Sequence, residues 1–220
     1  IFLATDGKVL KCNFCSFNSK YISNCKDKLY DDLIRLTRCL EIYLSDYVST
    51  FGKLRKLKDI YQLHIDRVLS FNYTLTYENL YAPKIQEISQ KGSKQKSTIE
   101  FDYIHGQAQL NRNKDTCNLV IGIDEYLENG KENIDNEFIQ FKKFYQRIYK
   151  GTGSQYSDWL KRRKEMIEQI PQARDDMPLN IYIYGHSLDV TDRDILQDLI
   201  LEEDAVTTIF YHNREALGRS

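Results

Sequence analysis

Three of the four histidines of this chain each close an apolar, strand-like run: His105 follows Tyr103-Ile104, His186 follows Ile183-Tyr184-Gly185, and His212 follows Ile209-Phe210-Tyr211. Asn72 stands in the same position after Val68-Leu69-Ser70-Phe71, and Asp124 after Val120-Ile121-Gly122-Ile123. An imidazole that titrates near neutrality can take a proton from water or give one to a leaving group. A carboxylate can orient that imidazole, and an amide can hold a hydroxyl or a water. If the runs are parallel strands, all five residues emerge at one carboxyl edge, where open α/β sheets bind their ligands. His64 lies in a polar lead-in and needs no such role. Turn and capping roles are open to the same residue types: Asn72 can stabilise a turn through its own backbone, and Asp124 and Asp192 can cap helices.

Other chemistries fit less well. Gly185-His186-Ser187-Leu188 sets a serine between a strand and a helix, as in the nucleophile elbow of esterases. Asp189 replaces the closing glycine, however, and a single later strand has to supply both an acid and a histidine. His105, Asp124, His186 and His212 are of metal-binding types, yet no spacing fixes a geometry, and no metal is expected. Cys12 and Cys15, with Cys25 nearby, lack a fourth zinc ligand at a familiar spacing, and the five cysteines read as free thiols in a reducing compartment. Gly151-Thr152-Gly153-Ser154 reads as a turn, because no strand precedes it as a phosphate loop requires.

The elements that must position these residues follow from the periodicity. Leu29, Leu33, Leu36, Leu40, Tyr43, Leu44 and Tyr47 recur at three and four and predict one amphipathic helix over Lys28 to Tyr47. The basic stretch Lys53 to Lys58 reads as a solvated surface. A strand over Arg67 to Tyr73 runs into a helix opened by Thr74, and further strands are predicted over Thr98 to Ile104 and Asn118 to Ile123. Phe138, Phe141, Phe144, Tyr145 and Ile148 form one helical stripe, and Tyr156, Trp159, Leu160, Met166, Ile167 and Ile170 another. A strand over Asn180 to Tyr184, a helix with Ile195, Leu196, Leu199 and Ile200, and a strand over Val206 to Tyr211 complete the chain. Alternating strands and helices predict an α/β fold with a Rossmann-like, mostly parallel sheet and helices on both faces. Residues 1–66 form an N-terminal helical region in this scheme, and residues 67–220 a cleft-bearing domain with a helical insertion at about 135–172.

Composition bounds the function. The 220 residues are 41% hydrophobic with only 3 Pro and 10 Gly, which describes a folded chain of one or two domains. Lys and Arg number 31 against 32 Asp and Glu, so the basic excess of a dedicated nucleic-acid binder is missing. No run approaches the roughly 18 apolar residues of a membrane helix, and no basic, apolar leader opens the chain, so a cytoplasmic protein without membrane partners is expected. The chain opens on Ile1, and few residues follow the Val206–Tyr211 strand to cover it, so a fragment of a longer protein is expected.

At the residues that carry the edge constellation the sequence resembles the AbiH family of bacteriophage abortive-infection proteins. The matching blocks are Ser70-Phe71-Asn72-Tyr73-Thr74 with Tyr81, Tyr103-Ile104-His105-Gly106, Leu119-Val120-Ile121-Gly122, Tyr184-Gly185-His186-Ser187-Leu188 with Asp192, and Ile209-Phe210-Tyr211-His212-Asn213. Members of that family typically begin with a glycine-rich strand-turn, Gly-Asn-Gly-Phe-Asp, which is absent here and agrees with the fragment reading. AbiH proteins are in turn similar to the sirtuin-like defence NADases. That likeness implies a cleft for NAD or another nucleotide, with His105 as general base and Asn72 orienting the nicotinamide ribose or a water. Gly185, Ser187 and Asp192 would line the adenosine side, and Tyr73, Thr74, Gly106, Asp124, His186 and His212 would complete the binding set. Thr74 stands where the sirtuin-like pattern has Asp, and a hydroxyl supports a cationic transition state less than a carboxylate does. Three readings follow: an anti-phage NAD glycohydrolase, a non-enzymatic nucleotide or phage-signal sensor, and a metal-dependent hydrolase. The sensor would act on a protein partner or a second copy through the helical regions Lys28 to Tyr47 and Phe138 to Ile170.

Overall fold

A computed structural model describes residues 13–51, 55–81, 99–123, 138–170, 178–188 and 192–211. Helix α1 (Asn13–Ile42) begins well before the predicted start, and its last turns continue as a π turn over Tyr43–Tyr47 and a 3₁₀ turn over Val48–Thr50. Its inward face matches the predicted one in part: Leu33, Leu40 and Leu44 are half-buried, but Leu29, Leu36, Tyr43 and Tyr47 are exposed, and Thr37 and Glu41 are buried. The reason is electrostatic. Glu41 Oε2 accepts a 2.6 Å hydrogen bond from Arg38, and Oε1 accepts from the Gln109 N–H and lies 3.5 Å from Arg112. Arg38 also donates to the carbonyls of Gln109 and Leu110. A buried carboxylate tolerates loss of water only with such partners, and these fasten α1 to the segment after the second strand.

Helix α2 (Lys58–Tyr61) leads into β1 (Arg67–Ser70), and the chain after β1 turns into helix α3 (76–81). Strand β2 (Glu100–Tyr103) pairs in parallel with β1, Arg67 opposite Glu100 and Ser70 opposite Tyr103. Helix α4 (Lys143–Lys150) and helix α5 (Gln155–Gln169) follow, then β3 (Leu179–Tyr184), helix α6 (Arg193–Ile200) and β4 (Ala205–Phe210), with β3 and β4 parallel in register from Leu179–Ala205 to Tyr184–Phe210. The expected parallel pairing is therefore present. The expected single sheet is not: among the described residues there are two separate two-stranded sheets, β1–β2 and β3–β4.

The predicted strand over Asn118 to Ile123 joins no ladder among the described residues; Leu119 and Val120 within it are fully buried, and Ile123 at its end is exposed. Its one bridge joins Ile123 to Lys142. A side chain takes the neighbouring strand's place: Gln146 donates from Nε2 to the Ile121 carbonyl at 2.8 Å and accepts from the Ile121 N–H at 3.2 Å. Helix α4 accordingly turns Gln146 and Arg147 inward; of the predicted stripe Phe141 and Tyr145 are half-buried, whereas Phe138, Phe144 and Ile148 are exposed. Helix α5 receives its N-terminal cap from another element, because the buried Asp102 of β2 accepts from the Tyr156 N–H at 3.0 Å. Burial pushes the Asp102 carboxyl up, and the backbone N–H groups of Tyr156, Gln155, Tyr103 and Gly153 pull it back. Trp159 on α5 is buried, as predicted, with the Arg67 guanidinium 5.8 Å over its ring. No helix among the described residues is long and apolar enough to cross a membrane.

Candidate functional site

The carboxyl ends of β1, β2 and β3 and the start of α6 converge on one buried cluster. His105, two residues past β2, is 4% exposed, and Asp192, just before α6, is 6% exposed. His105 Nε2 lies 3.0 Å from Asp192 Oδ1, and His186 Nε2, just past β3, lies 3.6 Å from Oδ2. Lys143 Nζ at the start of α4 is 3.6 Å from Oδ1. Burial acts to raise the Asp192 pKa. The two imidazoles and the Lys143 ammonium outweigh it and hold the carboxyl well below the usual carboxylate range.

Each imidazole is fixed by its own backbone surroundings. The chain reverses directly after His105 through Gly106, whose φ is +80° and whose N–H bonds the Tyr103 carbonyl at 3.0 Å. The His105 carbonyl accepts from Val120 N–H at 2.8 Å. His186 Nδ1 accepts from the Leu188 N–H at 2.9 Å, which assigns its proton to Nε2, facing Asp192. Leu188 takes up a left-handed φ of +56° in that turn, a conformation costing about 1 kcal/mol or more for a residue with a side chain. The Phe71 ring stands edge-on between the imidazoles, 4.4 Å from His186 and 5.9 Å from His105 between centroids. His105 Nδ1, by contrast, is buried without a hydrogen-bond partner.

The remaining sequence-predicted residues divide. Tyr73 belongs to the cluster, its ring 6.2 Å from His105 and its hydroxyl donating to the Val120 carbonyl at 2.9 Å. Burial raises the Tyr73 pKa and the Asp192 charge adds to this, so the hydroxyl stays protonated. Asn72 is exposed and exchanges hydrogen bonds with the Ser70 hydroxyl through its backbone, which matches the turn role rather than a contact with His105. The Thr74 hydroxyl pairs with that of Thr76 at 2.9 Å. Gly185 and Ser187 are exposed at the end of β3. His186 commits its nitrogens to Leu188 and Asp192, so the elbow reading of Ser187 finds no base there. Asp192 was expected either in the ligand cleft or as a helix cap. It precedes α6, but its side chain makes no capping bond and turns to the histidines. Asp124 and His212 lie outside the described residues, as does Cys12. Lys143 and Phe71 escaped the sequence reading of the site. Phe71 lay inside a matched block, whereas nothing in the local pattern marked Lys143.

A polar recess of about 350 Å³ opens beside Gly106, lined among others by Glu78, Asp102, Tyr103, Gln107 and Asn118. The Tyr103 hydroxyl donates to Glu78 Oε2 at 3.1 Å, and its pKa is pushed up by burial and then by Glu78. Among the described residues no group of three or more His, Cys, Asp or Glu is arranged to hold a metal ion.

The fold and site define a mixed helix and strand protein with short parallel sheets and a His–Asp–His cluster at strand carboxyl ends. The chain belongs to the bacteriophage abortive infection AbiH family, whose model matches residues 11–212, and its role is accordingly anti-phage abortive infection. No curated protein and no solved structure matches it.

Proposed function

We propose that the His105–Asp192–His186 cluster is the chemical centre of a nucleotide cleft that hydrolyses NAD or a related nucleotide during anti-phage defence. The observation that carries this reading is the asymmetry of His105: Nε2 is tied to an ionised carboxylate, while Nδ1 is left without a partner. That is the arrangement of a general base with its orienting acid. Water adds to the ribose C1′ as the C1′–nicotinamide bond breaks with its electron pair, and the proton of the water passes to His105 Nδ1. The transition state is oxocarbenium-like, and such general-base help contributes about 10²- to 10⁴-fold. The recess beside Gly106, the residue after His105, lies within the roughly 300–1,000 Å³ of small-molecule sites; its lining holds Glu78, an acceptor for sugar hydroxyls, and none of the three cluster residues.

The test is the release of nicotinamide from NAD by the full-length protein. The wild type releases it in proportion to protein, and His105→Ala, with an unchanged circular dichroism spectrum, is slower by at least about 10²-fold. Equal rates from the two proteins would refute the assignment. A second reading, a non-enzymatic nucleotide sensor, draws support from Thr74, whose hydroxyl is engaged with Thr76 where the sirtuin-like pattern has a carboxylate. It predicts binding of NAD without turnover.

A further inference from the structure

We infer that α1 is a dimerisation helix, pairing antiparallel with the α1 of a second copy of this chain along a stripe of exposed apolar residues. The inference is independent of the nucleotide reading. Ile22, Leu29, Leu36 and Tyr43 recur every seven residues, and with Tyr47, stacked on Tyr43 at 5.3 Å between ring centroids, they are 48–60% exposed. A strict seven-residue repeat keeps one helix face turned to a helical partner, which a solvated face does not require. The helix gives its other side to the body of the protein through Thr37 and Glu41. Toward the N-terminus that support ends, since of residues 20–29 only Lys26 is not exposed. A helical stretch of that length without packing is marginal in water, so this half of α1 needs a surface to lie on. The stripe is large enough to supply one. Its five side chains still expose about 100 Å² each, so pairing two copies buries on the order of 1,000 Å² from them alone, the size at which a specific interface begins.

Charge names the occupant and its direction. A second row, Cys25, Asp32 and Cys39, repeats at the same interval beside the first. Arg35 meets Asp32 at 3.3 Å within the helix, yet both side chains stay more than half exposed. Parallel pairing would set Asp32 against its own copy, like charge on like. Antiparallel pairing sets each row against the other: Leu29 meets the second copy's Cys39, Leu36 its Asp32, Tyr43 its Cys25, and Ile22 its Tyr47. Arg35 of each copy then stands beside Asp32 of the other, so two acids and two bases alternate about the twofold axis. An antiparallel copy of the same sequence supplies that reciprocity, as an isologous interface requires. The half of α1 that its own body leaves bare lies in this arrangement along residues 36–47 of the second copy.

Sedimentation of the full-length protein, purified alone, tests this. A dimer is expected at micromolar concentration. Leu36→Glu, which sets an acid against the second copy's Asp32, is expected to weaken it at least about 100-fold with an unchanged circular dichroism spectrum. A wild type that is still monomeric at about 100 µM, or a dimer indifferent to Leu36→Glu, would overturn the inference. Cysteine trapping reads the direction. Under mild oxidation Leu29→Cys is expected to be caught as a disulfide-linked dimer through Cys39, a link that the double variant Leu29→Cys, Cys39→Ser loses. No link in Leu29→Cys, or a wild-type link that Cys39→Ser removes, would overturn the antiparallel pairing.

Discussion

Asp192→Ala is expected to lower the unfolding free energy by about 3–5 kcal/mol at pH 7. The carboxylate is nearly buried and is the common partner of His105, His186 and Lys143. Removing it takes a counter-charge from the half-buried Lys143 ammonium and the shared carboxylate from His105 and His186. Acid dependence gives a second signature. The folded-state pKa of Asp192 is depressed below its ordinary value, so its share of stability is fully present above the unfolded pKa of about 3.9 and is lost as pH falls through and below it. Urea unfolding from pH 6 to pH 3 should therefore show a steeper loss for the wild type than for the variant. Parallel curves would mean that Asp192 is not held in its charged form by this cluster.

Gly106→Ala is expected to cost about 2–4 kcal/mol and to displace His105 with it. Two penalties combine. The φ of +80° is unfavourable for any side chain, and a Cβ would lie 2.2 Å from the Asn118 carbonyl oxygen, a backbone atom that cannot swing aside. Gly151→Ala is the internal control, since Gly151 has a φ of +62° with nothing within 4 Å of its Cβ position. It carries the conformational penalty alone, about 1 kcal/mol. Thermal unfolding of the two variants separates strain from collision. Equal losses would show that the turn at Gly106 can relax away from Asn118.

What could be read in the sequence, and what could not, follows from the range of the forces involved. Strand β1, strand β3 and helix α6 are visible in local periodicity because their apolar residues point one way over several turns or pleats. His105 and His186 are expected at a common edge, and Asp192 enters the site through the family resemblance; the structure places the Asp192 carboxylate 3.0 Å from His105 and 3.6 Å from His186. Polar residues that fold inward were not legible. Glu41, Gln146 and Arg147 look like solvent-facing positions on amphipathic helices, and each turns inward because a partner distant in sequence satisfies it: Arg112 for Glu41, Ile121 for Gln146 and Asp194 for Arg147. The Leu119–Ile123 run reads as a strand for the same reason, since the pattern reports burial but not whether a backbone or a glutamine supplies the hydrogen bonds. Asn72 looked catalytic by position, yet its neighbour Ser70 binds it locally as a turn.

The most direct test of the central claim, that this cluster carries out the chemistry of defence, is phage plating. Cells expressing the full-length protein would be compared with cells expressing His105→Gln at the same protein level, using a phage that the wild type excludes. The account predicts that His105→Gln plates the phage as efficiently as cells without the protein, because the amide keeps the shape of the side chain but cannot serve as a base near neutral pH. Protection by His105→Gln equal to that of the wild type would contradict it.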